Sequence, residues 1–168
     1  MTTQPVKPMV NIVDIPLVDR GHREKFAVQW GRVGPLIGLT GLGCALHVVP
    51  PGKTAFPFHV HHTNDELFFI LSGSGEYRFG DKTYPIKVGD LIAAPPGGPE
   101  VAHQIINTGA EEMRYLGIST MITPEAVDYP DSGKFAVWSR PDPGGDPRKA
   151  ALRYIGRREK SLDYWDGE

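Results

Sequence analysis

Short alternating runs of apolar residues dominate the middle of the chain. Between residues 55 and 120 these runs read AFPFHVH, ELFFIL, GEYRF, KTYPIKV, DLIAAP, AHQIIN and MRYLGIST. Between them lie SGSG, GD, PPGGP and NTGAEE, which are sequences typical of tight turns. Two more strands, KFAVQW and CALHVV, are predicted upstream at residues 25–30 and 44–49. Short strands at such close spacing predict an all-β antiparallel sandwich or barrel.

The two ends of the chain are less regular. The apolar arm VNIVDIPLV, residues 10–18, is expected to add a strand to a sheet edge of its own chain or of a partner. A helix is predicted around residues 146–153, with Asp146 as its cap. The aromatic pair Tyr164 and Trp165, within the ending DYWDGE, is expected to pack against the barrel.

The composition limits the classes of protein to which this chain can belong. The 168 residues fit one domain, and a formal charge of −2 gives no reason to expect nucleic acid as a partner. The longest apolar run, Leu67 to Leu71, is too short for a membrane span, so we expect a cytoplasmic protein without membrane contact. Cys44 is the only cysteine, which excludes an intrachain disulfide and a cysteine-rich zinc site.

The stretch HVHHTNDE, residues 59–66, has the pattern of a metal site. Residues i and i+2 of a strand share a face, so His59 and His61 point the same way and His62 points the other way. Glu66 follows a turn-like segment and can return on the next strand, and His103 on AHQIIN can supply a third imidazole. Imidazole suits zinc, copper, iron and nickel, and a carboxylate adds tolerance for manganese. We therefore predict one divalent cation held by these four side chains.

Other ionisable residues are interpreted more simply. His47 stands alone on its strand and His62 has the wrong parity, so both are expected to be satisfied core or surface residues without a functional role. His22 lies in a charged stretch and is expected to be solvated. Asp65 is the alternative carboxylate if Glu66 does not reach the site.

Two groups of residues resemble the motifs of the cupin superfamily. The first group is Gly52, His59, His61, Glu66 and Gly73, with six, one, four and six residues between successive members. The second group is Gly89, Pro95, Gly97, His103 and Asn107. In this group five residues separate Gly97 from His103, where the superfamily has two. Either the intervening loop GPEVA is longer here, or Glu100 takes the place of the usual histidine; the intact strand around His103 favours the longer loop.

The resemblance implies a double-stranded β-helix, the cupin jelly-roll barrel, with N- and C-terminal extensions. We expect a single domain over residues 1–168, with its barrel at about 36–122, an N-terminal arm over 1–35 and a C-terminal extension over 123–168. It also implies a homodimer, a small-molecule substrate, and a bound zinc, manganese, iron or nickel ion.

The C-terminal third is similar to a narrower group of proteins. The segments YPDSGKFAVWSR and DYWDGE look like those of small single-domain bacterial cupins, some of which are labelled sugar-phosphate isomerases by analogy of fold. The leading hypothesis is therefore a metal-dependent isomerase or epimerase of a sugar or sugar phosphate. An iron-dependent dioxygenase and a non-catalytic binding module for small molecules such as sugars are the alternatives.

An isomerase needs an acid/base residue that is not a metal ligand. Glu66 would be occupied by the ion. Glu100 lies on the lengthened loop just before His103, so we predict that Glu100 is at the cavity mouth and acts as the catalytic acid/base.

Overall fold

The computed structural model of the protein describes residues 7–139 and 150–168. The strands in these ranges are β1 Val18–His22, β2 Phe26–Arg32, β3 Leu42–Val49, β4 Val60–His61, β5 Glu66–Ser72, β6 Ser74–Phe79, β7 Lys82–Lys87, β8 Leu91–Ala94, β9 His103–Ile106, β10 Met113–Thr120, β11 Glu125–Tyr129, β12 Lys134–Trp138 and β13 Arg153–Arg157. Single 3-10 turns lie at Ile12–Asp14, Gly34–Leu36, Pro99–Val101, Pro130–Ser132 and Arg158–Lys160. None of the helical segments in the described ranges could cross a membrane.

The strands form three sheets that together make the barrel. One sheet has the order β1-β2-β3-β10-β5-β8, the second β13-β12-β11-β4, and the third β7-β6-β9. Each pair of strands is antiparallel, and distant segments such as β3 and β10 lie side by side over eight residues. This architecture confirms the prediction of an all-β jelly-roll barrel.

Strand β3 is covered on both faces, which explains its unbroken apolar end. Its residues Leu46 and Val48 pack outward in a cluster that includes Ile15 of the N-terminal arm. Val49, of opposite parity, packs in the main barrel core. Of the arm 10–18, only Val18 lies in a strand, β1, which pairs with β2 of the same chain, and Ile12–Asp14 form a 3-10 turn, so the strand expected from the sequence is wrong for residues 10–17.

The outward cluster should matter for stability. Leu46 is 1% exposed, so Leu46→Ala is expected to lower the free energy of unfolding by about 2–5 kcal/mol through lost burial and a residual cavity. Urea unfolding in the presence of a chelator measures this without a contribution from bound metal. The control Leu91→Ala alters a leucine that is 69% exposed and should change the free energy by less than about 0.5 kcal/mol. Equal effects of the two substitutions would contradict the packing of the arm on β3.

Two expectations about the C-terminal extension are wrong. Half of the helix predicted around 146–153, residues 146–149, lies outside the described residues; of the other half, residues 150–152 are not helical and Arg153 begins strand β13, paired with β12. Hydrogen bonding to the free edge of β12 stabilises this segment as a strand more than its weak helix propensity stabilises a helix. Tyr164 and Trp165 do not pack on the barrel: they are 85% and 72% exposed and contact each other, with ring centroids 4.9 Å apart.

Candidate metal centre

Three neighbouring strands bring the predicted ligands together. The backbone of His59 forms a two-way bridge with His103 of β9: each amide donates to the other's carbonyl, at 3.1 and 2.7 Å. Two residues later, His61 of β4 pairs with β11. Glu66 is the first residue of β5, after the turn. The i, i+2 parity predicted from the sequence therefore points His59 and His61 into the same space as Glu66.

The ligand atoms converge on one carboxylate oxygen. Glu66 Oε2 lies 3.8 Å from Nε2 of His59, 3.4 Å from Nε2 of His61 and 3.0 Å from Nε2 of His103. Atoms that share one ion at roughly 2.0–2.2 Å stand about 3–3.5 Å apart. Ligand atoms of His59, His61 and Glu66 all lie within 4.8 Å of one another, and His103 joins them through Glu66. His59, His61 and Glu66 could thus hold a divalent cation together, and the role of His103 as a fourth ligand stays a prediction.

The outer ring nitrogens of two histidines face oxygen atoms, and among the described residues only that of His59 is within hydrogen-bond distance. Nδ1 of His59 lies 2.8 Å from the carbonyl oxygen of Pro57; since a carbonyl can only accept, Nδ1 carries the proton and Nε2 keeps its lone pair. Nδ1 of His61 lies 3.7 Å from Oε2 of Glu125, a carboxylate that is almost fully buried. The other oxygen of Glu125 accepts the backbone N–H of His62. Histidines fixed in this way by a carbonyl or a carboxylate are characteristic of metal sites.

The charges of the site are set by burial and by the contacts between the histidines and the carboxylates. Burial lowers the pKa of His59 to about 3, so this ring is neutral at pH 7. Burial alone would lower the pKa of His61, but hydrogen bonds and charge interactions with Glu125 and Glu66 raise that pKa to about 9. Burial opposes ionisation of Glu66, yet its hydrogen bonds with His103 and His61 hold the pKa well below its usual value. At neutral pH Glu66 is therefore an anion and His61 a protonated ring beside it, so an ion that binds here has to displace the proton from Nε2 of His61.

A cavity of about 210 Å³ opens beside Glu66 because the adjoining strands carry small residues. Ser119 of β10 pairs with Glu66 of β5 on one side and with Gly43 of β3 on the other. In the same way, Gly117 pairs with Phe68 and with Ala45. All of these residues line the cavity. A side chain larger than these would fill the space next to the carboxylate.

His47 is a cavity residue that the sequence analysis assigned to packing. Its ring stacks on Tyr115, with centroids 4.6 Å apart, and it lines the cavity together with Glu66. Burial lowers its pKa to about 4, so the imidazole is neutral at pH 7. The sequence did carry a signal for this position: His47 has the same parity along β3 as Val49, whose side chain packs in the barrel core. Glu125 was also missed, and no sequence signal marked it, since its place behind His61 depends on the pairing of β11 with β4.

The remaining candidates do not line this cavity. Glu100 is exposed on the turn Pro99–Val101, and its carboxylate accepts the N–H of Gly98 at 3.0 Å. It is absent from the described residues that line the cavity, so its catalytic role stays a prediction. The extra loop residues form this turn, which leaves His103 at the start of β9. Asp65 is exposed, and His62 lies on the other face with Nε2 2.9 Å from Asp128.

Comparison with known proteins agrees with this geometry. The family model of the cupin domain matches residues 45–119. The matched segment is just under half of the chain. The match spans β3 to β10 and includes all four converging side chains, so the resemblance carried by the two sequence motifs is confirmed.

Two solved structures share the fold over nearly the whole chain. One is a cupin-superfamily sugar phosphate isomerase from Silicibacter pomeroyi, with a TM-score of 0.75, 21% identity, and coverage of 95% of this chain and 98% of that one. The other, from Acidithiobacillus ferrooxidans, is provisionally named a sugar phosphate isomerase; its TM-score is 0.78 at 23% identity, covering 94% and 96% of the two chains. At these identities the likeness shows the fold alone, including the segments that flank the cupin domain.

A relative in sequence has a different name. The oxalate-binding protein of Thermotoga maritima is 31% identical over 74 residues, which are 44% of this chain and 58% of that protein. The chain spans about half the length of the curated relatives it matches.

Proposed function

We propose that the protein is a metal-dependent enzyme acting on a small polar substrate, with isomerase or epimerase chemistry on a sugar or sugar phosphate. The observation that carries the proposal is the approach of three imidazole nitrogens to the carboxylate of Glu66, which lines a small cavity. His59, His61, Glu66 and His103 would hold the ion. A bound divalent ion would polarise a carbonyl and hold adjacent substrate oxygens. The names of the two proteins of the same fold support this class of substrate.

The other cavity residues provide binding groups for such a substrate. The neutral His47 ring and the Ser119 hydroxyl can exchange hydrogen bonds with sugar hydroxyls. Phe68 supplies an apolar wall against which the carbon face of a sugar can lie. Because Glu66 would be committed to the ion, the proton on the reacting carbon has to be moved by another group, and Glu100 remains our candidate.

A binding module is the second candidate function. The name of the Thermotoga maritima relative favours it, since that protein is described by the ligand it binds. The same four side chains would then hold an ion that coordinates a small anion or sugar without turnover. An iron-dependent dioxygenase needs the same ligands and, in addition, a redox metal and dioxygen.

One assay separates these functions. Protein purified without chelators or a nickel column is loaded with zinc, manganese, nickel or iron(II), and then offered a panel of sugars, sugar phosphates and small carboxylates, in air and without oxygen. We expect isomerisation or epimerisation that needs metal but no oxygen. Turnover only with iron and oxygen would establish the dioxygenase, and saturable binding with no turnover would establish the binding module.

The catalytic role of Glu100 is tested in the same assay. Glu100→Gln is expected to lower kcat at least about 100-fold, the usual contribution of an acid/base residue, while bound metal stays at the wild-type level. The control Glu111→Gln alters another loop acid and should leave kcat unchanged. Wild-type turnover of Glu100→Gln would assign the proton transfer to a different residue.

A further inference from the structure

Residues 161–168 carry apolar side chains that the other described residues leave exposed. Residues 161–168, here called the acidic tail, are exposed throughout, including Leu162, Tyr164 and Trp165. Asp163, Asp166 and Glu168 flank the aromatic pair. Single exposed apolar residues are ordinary, but a tyrosine, a tryptophan and a leucine exposed together mark a contact surface.

A cleft elsewhere on the chain has the complementary character. It has a volume of about 570 Å³ and lies between β1, the segment 55–58 and the start of β12. Its apolar surface comes from Phe26, Phe56 and Phe58, and its rim carries Arg20, Lys25 and Lys134. We call it the basic cleft. It is separate from the cavity beside Glu66, and no residue lines both.

The rim cations form no close ion pair with the described residues, although the charge of Lys25 helps to lower the pKa of Asp131 in the same cleft. Within residues 7–139 and 150–168, none of Arg20, Lys25 and Lys134 has a carboxylate oxygen within 4 Å. Instead they lie against aromatic rings: Arg20 over Trp30 at 4.1 Å, Lys25 over Phe26 at 5.5 Å and Lys134 over Tyr129 at 4.8 Å.

Other cations nearby are already neutralised. Arg78 makes a bidentate ion pair with Asp131 through both of its terminal nitrogens. Arg158 donates from Nη2 to both carboxylate oxygens of Asp128. Apart from Asp131, which is committed to Arg78, the basic cleft therefore presents positive charge beside apolar surface.

We propose that the acidic tail of one chain docks in the basic cleft of a second copy. The Tyr164 and Trp165 rings would cover the phenylalanine surface, and the three tail carboxylates would face the three rim cations. Within one chain the tail follows the turn Arg158–Lys160, where Arg158 is tied to Asp128, and it extends into solvent there. Exchange between two copies would be reciprocal, as two-fold symmetry requires.

The size of this contact suits a stable dimer. Aromatic side chains bury about 150–250 Å² each, so two docked tails and the cleft surface they cover reach the roughly 1,200–2,000 Å² of a specific interface. Tyrosine, tryptophan and arginine are also the residues that dominate binding energy at interfaces. The proposal gives the homodimer expected from the sequence a defined interface, and it does not depend on the function of the metal centre.

A pair of charge reversals tests the proposal. Lys25→Glu/Lys134→Glu makes the cleft acidic, and Asp163→Lys/Asp166→Lys makes the tail basic. Each double variant alone brings like charges together, so its dimer dissociation constant should rise at least about tenfold over that of the wild type. In a mixture of the two variants, each tail meets a cleft of opposite charge at both contacts, so heterodimers should form at near wild-type concentrations. Sedimentation velocity from micromolar to millimolar concentration measures all three samples.

Controls separate docking from misfolding and from non-specific charge effects. Lys82→Glu/Lys87→Glu reverses two exposed lysines of β7 and should leave the dimer unchanged. Trp165→Ser removes the larger ring without changing charge and should also weaken the dimer, while the circular dichroism spectrum stays that of the wild type. A monomeric wild-type protein, a dimer insensitive to the cleft and tail variants, or a mixture that fails to associate would each overturn the proposal.

Discussion

Glu66→Gln is expected to lower the affinity for a divalent ion by at least about 100-fold, since even changes one step further from a metal typically cost 10–100-fold. The amide keeps the shape of the side chain but removes the negative charge at the point where three imidazole nitrogens meet, 3.0–3.8 Å from Oε2. Metal analysis of protein purified without chelators, followed by competition with a coloured chelator, measures the loss.

The chain offers a matched control for this substitution. Asp65 precedes Glu66 and is also a carboxylate, but it is exposed, and its backbone is tied to Thr120 at the end of β10. Asp65→Asn makes the same chemical change one residue away and should leave metal affinity within about twofold of the wild type. If Asp65→Asn loses the metal and Glu66→Gln retains it, the assignment of the ligand carboxylate is wrong.

The parts of the site that the sequence predicted are those governed by local strand geometry. The alternation of side chains along a strand is a property of the backbone alone, so His59 and His61 could be placed on one face before any fold was known. Glu66 and His103 lie on other strands, and strand pairing was not known from the sequence. They could still be assigned to the site because the motif spacing and the resemblance to cupins predict which residues meet. Within the barrel, the alternation of Phe68 and Ile70 with outward residues follows from the same rule.

The parts that the sequence could not give depend on pairs of distant strands. Glu125 reaches His61 only because β11 lies beside β4, and His47 enters the cavity wall only because Gly117 of β10 leaves room for its ring. A carbon atom added to Gly117 would approach the His47 ring to 2.9 Å. The wrong expectation for Tyr164 and Trp165 has a related cause: apolar character predicts that a surface is covered, and it does not say by which molecule.

The inner face of strand β10 connects the cavity to the candidate metal centre. Strand β10 alternates Tyr115, Gly117 and Ser119 on its inner face, so the barrel is filled at one level and open at the next. Glu66 sits in register with Ser119, at the open level. Glu66 therefore lies at the boundary between the packed core and the cavity. A substrate in the cavity could reach an ion bound to Glu66, while the protein would cover the other side of that ion.

Glu125→Gln tests whether the buried carboxylate behind His61 supports the metal centre without touching the ion. The amide oxygen can still accept the N–H of His62, but the negative charge 3.7 Å from Nδ1 of His61 is lost. That charge favours the His61 tautomer whose proton is on Nδ1 and whose Nε2 faces Glu66. We expect metal affinity to fall about 10–100-fold, the usual effect of such an outer contact.

The increase in melting temperature on adding metal distinguishes a positioning role from a general loss of stability. A ligand that binds only the folded state raises its stability in proportion to the logarithm of concentration over dissociation constant. Glu125→Gln should therefore shift the metal dependence of the melting temperature to concentrations 10–100-fold higher, as expected for outer contacts of a metal site. The control Asp128→Asn removes the carboxylate beside His62, which faces away from the site, and should leave that dependence where it is in the wild type. A metal dependence in Glu125→Gln that coincides with the wild type would mean that His61 is oriented by its backbone alone.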